Sequence, residues 1–160
     1  MIVADAGPII AFARIGRLNL LQQVVGTLVI PNAVFEELVG TGRDRPGAPE
    51  VETGGWVQRR AVKDRVAVVM LPQVLHLGER EAIVLAQELR ASLLIDEQRG
   101  RAIAVARGLD VFGSLRIIAA SKRLGLVGQA KPLVEAMQAS GYWLNEEILR
   151  PFFRELGESD

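Results

Sequence analysis

Two acidic residues close short apolar runs: Asp5 follows Ile2-Val3-Ala4, and Asp96 follows Ser92-Leu93-Leu94-Ile95. Such runs read as buried strands, and in an open parallel sheet ligands bind beyond the carboxyl ends of the strands. Either aspartate alone is equally well explained as a helix N-cap. Two glutamates strengthen the chemical reading. On a helix beginning after Pro31, with about 100° per residue and Ala33 as origin, Glu37 falls near 40° and Val34 near 100°, whereas Glu36 falls near 300°. Glu37 therefore lies inside the apolar stripe, as a buried ion-pair partner or a ligand, and Glu36 lies on the solvated side. In Gly78-Glu79-Arg80-Glu81-Ala82-Ile83 the same count places Glu79 on the face of Ala82, Ile83, Leu85, Ala86 and Leu89. Glu81 falls at the edge of that face beside Glu88 and is the nearest alternative. Glu79 has a purely structural explanation too, because an acid in the first turn suits the helix dipole.

Four converging carboxylates repel one another and raise each other's pKa values. A divalent cation removes the conflict, and oxygen-only ligation points to Mg²⁺ or Mn²⁺. Metals held this way activate water and stabilise the leaving oxygen of a phosphodiester. The rest of the composition leaves little else. There is no cysteine and only one histidine, His76, which excludes thiolate chemistry and sulfur-ligated metals and speaks against a serine-type triad. With 19 basic and 19 acidic residues, no uniformly basic surface is expected.

The elements that must position these acids follow from the patterning. Residues 2–4 form a strand, and residues 9–21 are helical in pattern with a break at Gly16. Residues 28–30 repeat the design before a helix over 32–39. Residues 40–55, rich in Gly, Pro and charge, read as one long irregular stretch and a candidate flap. Residues 66–70 could be a further strand. Then come a helix over 79–89, a strand over 92–95, a helix over 97–107 stopped by Gly108, a strand over 109–112 and a helix over 114–124 stopped by Gly125. Helices around 132–139 and 145–156 close the chain. Short apolar strands alternating with helices give an α/β fold with a mainly parallel central sheet flanked by helices, and 160 residues fit a single domain. The N-terminus does not read as a signal peptide, and no apolar run approaches the ~20 residues that span a bilayer, so a cytoplasmic protein without membrane contact is expected.

Asp5-Ala6-Gly7-Pro8-Ile9-Ile10, Ile30-Pro31 with Val34, Glu37 and Leu38, Gly78-Glu79 with Ala82-Ile83, and Leu94-Ile95-Asp96-Glu97 together resemble the PIN-domain family. The likeness runs in order from residue 5 to about residue 125, and is nearest to VapC-like proteins carrying Gly-Glu-x-x-Ala-Ile before a helix. The resemblance implies a three-layer α/β/α fold and an endoribonuclease using Mg²⁺ or Mn²⁺. It implies Asp5, Glu37, Glu79 and Asp96 as catalytic metal ligands, an RNA substrate, an antitoxin protein as partner, and a homodimer. Three departures stand out: Ala6-Gly7 supplies no hydroxyl after the first aspartate, Glu79 stands where aspartate is usual, and Asp96 and Glu97 both fit the strand-end motif. They leave room for a catalytically silent PIN-like module that binds RNA or protein. An aspartyl-nucleophile phosphatase would want a second aspartate at position 7, and no Gly-x-Gly-x-x-Gly follows any strand.

Arg99, Arg101, Lys122 and Arg123 are candidate phosphate contacts, though a solvated helix face explains them as well. Ser114 reads as an N-cap whose hydroxyl could also face the site. His76 reads as a loop or packing residue, and Tyr142 and Trp143 as core or dimer contacts.

Overall fold

The computed structural model describes residues 1–40 and 45–158. Five strands, β1 (Ile2–Ala4), β2 (Leu28–Pro31), β3 (Val57–Arg60), β4 (Ser92–Leu94) and β5 (Val111–Phe112), form an all-parallel sheet in the order β3-β2-β1-β4-β5. The first strand is thus central, with Val3 opposite Val29 on one side and Leu93 on the other.

Period-two alternation splits the core into two layers. Ala4, Leu28, Ile30, Leu94 and Phe112 point to one face. There they meet α1 (Ala6–Arg14), α2 (Leu18–Val25), α3 (Asn32–Leu38), α4 (Ala48–Thr53), α8 (Ser114–Arg123), α9 (Lys131–Ala139) and α10 (Glu146–Glu155). Val3, Val29 and Leu93 point to the other, against α5 (Arg65–Met70), α6 (Leu77–Leu89) and α7 (Gln98–Ala106). The architecture is three layers, α/β/α. Among the described residues no helix is long and apolar enough to cross a membrane.

The predicted break at Gly16 is real: its φ of 68° is a left-handed conformation that glycine adopts without steric cost, and it separates α1 from α2. Two expectations fail. Residues 66–70 are helical, because Asp64 accepts the N–H of Ala67 at 3.0 Å and nucleates α5, and of its residues Val68 is the buried one. The missing strand is β3, whose Val-Gln-Arg-Arg sequence is half-exposed to exposed; it is an edge, where charged side chains block further pairing. Nor is the 40–55 stretch irregular throughout. It contains α4, entered through Gly47 at φ 89°, started by Ala48-Pro49, capped by Gly54 and anchored by buried Val51, a Pro-in, Gly-out helix signal. The remainder of that flap expectation, residues 41–44, lies outside the described residues.

Candidate active site

The strand order reverses between β1 and β4, which makes their carboxyl ends the switch point of the sheet and the place where such folds bind ligands. Asp5 leaves β1 there. Its N–H donates to Leu94 O at 3.0 Å, which ties the start of α1 to β4, and its carboxylate occupies the α1 N-cap position without a side-chain capping bond. Asp96 follows β4 after one further residue, Ile95, whose N–H donates to Phe112 O at 3.0 Å.

Glu37 comes from α3 and Glu79 from α6, two helices packed against each other. As the helical phase requires, Glu37 is half-buried and Glu36 exposed. Glu36 pairs with Arg59 of β3 at 3.2 Å, and among the described residues no ion pair involves Glu37. Gly78 lies between the acids: a Cβ there would sit 3.2 Å from Glu37 Oε2 and 3.6 Å from Asp5 Oδ1. The glycine keeps the space between these carboxylates open.

Electrostatics show the convergence. Asp5, buried, has its pKa pushed up to about 7, chiefly by burial; the Ala6 N–H opposes that rise, and the facing charges of Glu79, Glu37 and Asp96 add to it. Glu79, also buried, is raised by burial first, with Glu97 and Glu37 adding to the rise and the His76 N–H opposing it. Glu79 Oε2 accepts that N–H at 3.0 Å in a capping box, which makes His76 the N-cap of α6. Asp5 thus faces Glu37, Glu79 and Asp96 at one end of the sheet, and Glu97 stands beside Glu79.

Glu81 has a different job. It is buried, Oε1 accepts the N–H of Ala33 at 3.0 Å and Oε2 takes Arg65 Nη1 at 2.9 Å. Pro31, the α3 N-cap residue, makes no side-chain capping bond, so an acid from α6 caps the helix that carries Glu37. Glu97 is exposed and caps α7 by accepting the Gly100 N–H at 2.7 Å.

Asp96 is held from the far side. Ser114 donates its N–H to Oδ1 and its hydroxyl to Oδ2, and Gly113, not Ser114, takes the N-cap position of α8. The Tyr142 hydroxyl is hydrogen-bonded to both Asp96 and Ser114, and burial and the Asp96 charge raise its pKa. A Cβ at Gly113 would meet Asp96 Oδ1 at 2.6 Å and Arg101 Nη1 at 2.7 Å. Arg101 donates to Ile95 O at 3.0 Å. Lys122 instead faces the chain's end, bonding Leu156 O and Glu158 Oε2, each at 2.7 Å. Tyr142 and Gly113 gave no local sequence signal of a site role; Gly78 did, as the glycine of the Gly-Glu-x-x-Ala-Ile motif, and so did Ser114, as a hydroxyl following the strand next to β4.

The donor set fits a hard divalent cation: every candidate group is a carboxylate oxygen, and Gly78 leaves room between two of them. Among the described residues no three such groups are close enough to wrap one ion directly.

A sequence profile of the DUF3368 family, described as a PIN domain, matches residues 1–158. No curated protein matches the sequence at a significant level. Among solved structures the chain is similar to a PilT N-terminus domain protein from the hyperthermophilic archaeon Sulfolobus solfataricus P2, with a TM-score of 0.53 and 16% identity over 91% of this chain and 98% of that one. At that identity the likeness bears on the fold alone. The profile covers nearly the whole chain, and with it the chain belongs to the PIN-domain family, whose members are generally nucleases that typically use divalent metals.

Proposed function

We propose that the protein is an endoribonuclease that hydrolyses RNA phosphodiester bonds with Mg²⁺ or Mn²⁺ held by Asp5, Glu37, Glu79 and Asp96. The observation that carries the reading is Asp5: a buried carboxylate at the switch point, faced by Glu79, Glu37 and Asp96, is an arrangement that a cation stabilises and its absence does not. When bound, the cation supplies an activated water and charge neutralisation at the leaving oxygen. The chain's own residues hold and orient. Ser114 and Tyr142 fix Asp96, His76 fixes Glu79, and Glu81 fixes the start of the helix that presents Glu37.

The family resemblance supports a cytoplasmic toxin that works as a homodimer and is silenced by an antitoxin protein. Two observations favour the alternative, a silent module binding RNA or protein: Glu79 spends an oxygen on the His76 N–H, and Ala6-Gly7 offers no hydroxyl. Incubating a mixed RNA pool with the protein and Mg²⁺, Mn²⁺ or EDTA decides between them. Metal-dependent internal cleavage, lost in EDTA and in Asp5→Asn, is the expected result; an intact pool under every condition would leave the silent module.

A further inference from the structure

Beside the acidic site runs a groove of about 620 Å³, bounded by α7, α8, α10 and the segment between α9 and α10. Asp96 lines it and also faces Asp5, so the groove adjoins the acid cluster at that residue. Its walls combine two chemistries. Arg101, Arg116 and Arg123 supply guanidinium groups, and Trp143 supplies an indole that is 75% exposed. Neither the core nor the acid cluster uses that indole. Its chain neighbour Tyr142 turns its hydroxyl towards Asp96, so Trp143 is carried next to the acid site. Arg116 lies over the Phe112 ring at 5.4 Å and makes a loose pair with Asp110 at 3.9 Å, both partners exposed. Glu155 is the acid on the wall besides Asp96.

An exposed ring beside cationic side chains is how proteins hold single-stranded nucleic acid: bases stack on the ring and phosphates face the cations. A duplex buries the faces of its bases and offers only edges, groove and backbone, so one protruding indole has nothing in it to stack on. We infer that this groove binds the RNA strand to one side of the scissile bond, with a base stacked on Trp143 and phosphates facing Arg101 and Arg116. The inference rests on the nuclease reading above and adds a strand-binding subsite to it.

The test is a binding titration of the full chain in EDTA, where no metal-dependent cleavage occurs. The other tryptophan, Trp56, is buried, so quenching of the exposed indole reports on Trp143. The probe is an oligouridine of roughly 12 nucleotides, within the span such surfaces cover. Saturable quenching is expected, competed by single-stranded RNA and not by duplex RNA or an oligoglutamate peptide. Affinity, read by anisotropy of a labelled oligouridine, should fall about 5- to 160-fold in Trp143→Ala, the loss of one base-aromatic stack, and be largely kept in Trp143→Phe. Arg116→Gln should make the dependence of affinity on salt shallower, by about 0.7 in the logarithmic slope for one lost phosphate contact. Unchanged affinity in Trp143→Ala, or oligoglutamate competing as well as RNA, overturns the subsite. Wild-type protein that binds through Trp143 but cleaves nothing with Mn²⁺ overturns the nuclease reading and leaves the subsite standing; cleavage with no effect of Trp143→Ala does the reverse.

Discussion

Ser114 holds both oxygens of Asp96: its hydroxyl donates to Oδ2 at 2.6 Å and its backbone N–H to Oδ1 at 2.7 Å. Because Ser114 is the first residue of α8, the carboxylate also faces the positive end of a helix. Ser114→Ala keeps the N–H bond and removes the hydroxyl one. A hydrogen bond to a charged group contributes about 1.5–3 kcal/mol, so the variant should unfold at correspondingly lower urea. Loss of a residue that orients a metal ligand typically costs 10- to 100-fold in metal affinity or activity, and cleavage assays with graded Mn²⁺ should read that loss. An unaltered Mn²⁺ dependence would show that Asp96 is oriented without the hydroxyl.

Asp5 predicts how stability changes with pH. Its pKa rises from 3.8 to about 7 on folding. Below pH 4 the carboxyl is protonated in folded and unfolded chains alike and costs nothing. Between pH 4 and 7 the unfolded chain ionises first, so metal-free protein loses stability as pH rises, and above pH 7 the whole penalty is present, at most roughly 4 kcal/mol. Asp5→Asn should flatten that decline, and in chelator at pH 8 it should be more stable than wild type. Mn²⁺ should raise the wild-type Tm at pH 8, since a ligand of the native state at a hundred times its Kd adds about 2.7 kcal/mol, and should raise it little in Asp5→Asn. A decline of equal depth in both proteins places its origin elsewhere.

Glu79 and Glu81 sit two residues apart on α6 and separate cleanly. Glu79→Gln keeps an acceptor for the His76 N–H, since glutamine also closes a capping box; stability should hold within about 1 kcal/mol while cleavage is lost. Glu81→Ala strands the Ala33 N–H and releases Arg65. It should cost about 1–3 kcal/mol, most of it from the backbone donor because Arg65 is half in solvent. Denaturant melts of both variants, beside cleavage rates in the folded range, test the assignment, and an inactive but fully stable Glu81→Ala would reverse it.

Glu37→Gln should keep the fold, because no cation in the described structure depends on its charge, and should abolish metal-dependent cleavage. Glu36→Gln weakens an exposed pair with Arg59 and should change stability by less than about 0.5 kcal/mol with cleavage intact. A buried ion pair at Glu37 would instead cost about 3–5 kcal/mol when broken, so unfolding midpoints of the two variants measured in parallel are decisive.

Helical phase alone separated Glu37 from Glu36, because α3 has one apolar side and the two residues fall on opposite sides of its edge. Asp5 and Asp96 were legible as strand-end acids for a similar reason: β1 and β4 are short, buried and apolar. β3 was not, since an edge strand with a half-exposed to exposed sequence carries no period-two apolar signal. α5 misled in the opposite sense, its β-branched run looking like a strand while the deciding feature was the Asp64 cap. The choice between Glu79 and Glu81 turned on Ala33 and Arg65, partners distant in sequence. Tyr142 was read as a core or dimer contact, because nothing local to residues 140–145 announces a hydrogen bond to Asp96.

The central position of β1 bears on how the chain comes into being. The two neighbours of β1 in the sheet are made far apart: β2 soon after it, β4 only when residues 92–94 have been made. Contacts this far apart in sequence form late, and nascent chains lengthen by roughly 5–20 residues each second. Until β4 docks, Asp5 has no Leu94 carbonyl to hold its N–H, and until Ser114 follows, Asp96 has no partner for its oxygens. The growing chain therefore carries its acids dispersed until both β4 and the start of α8 have been made.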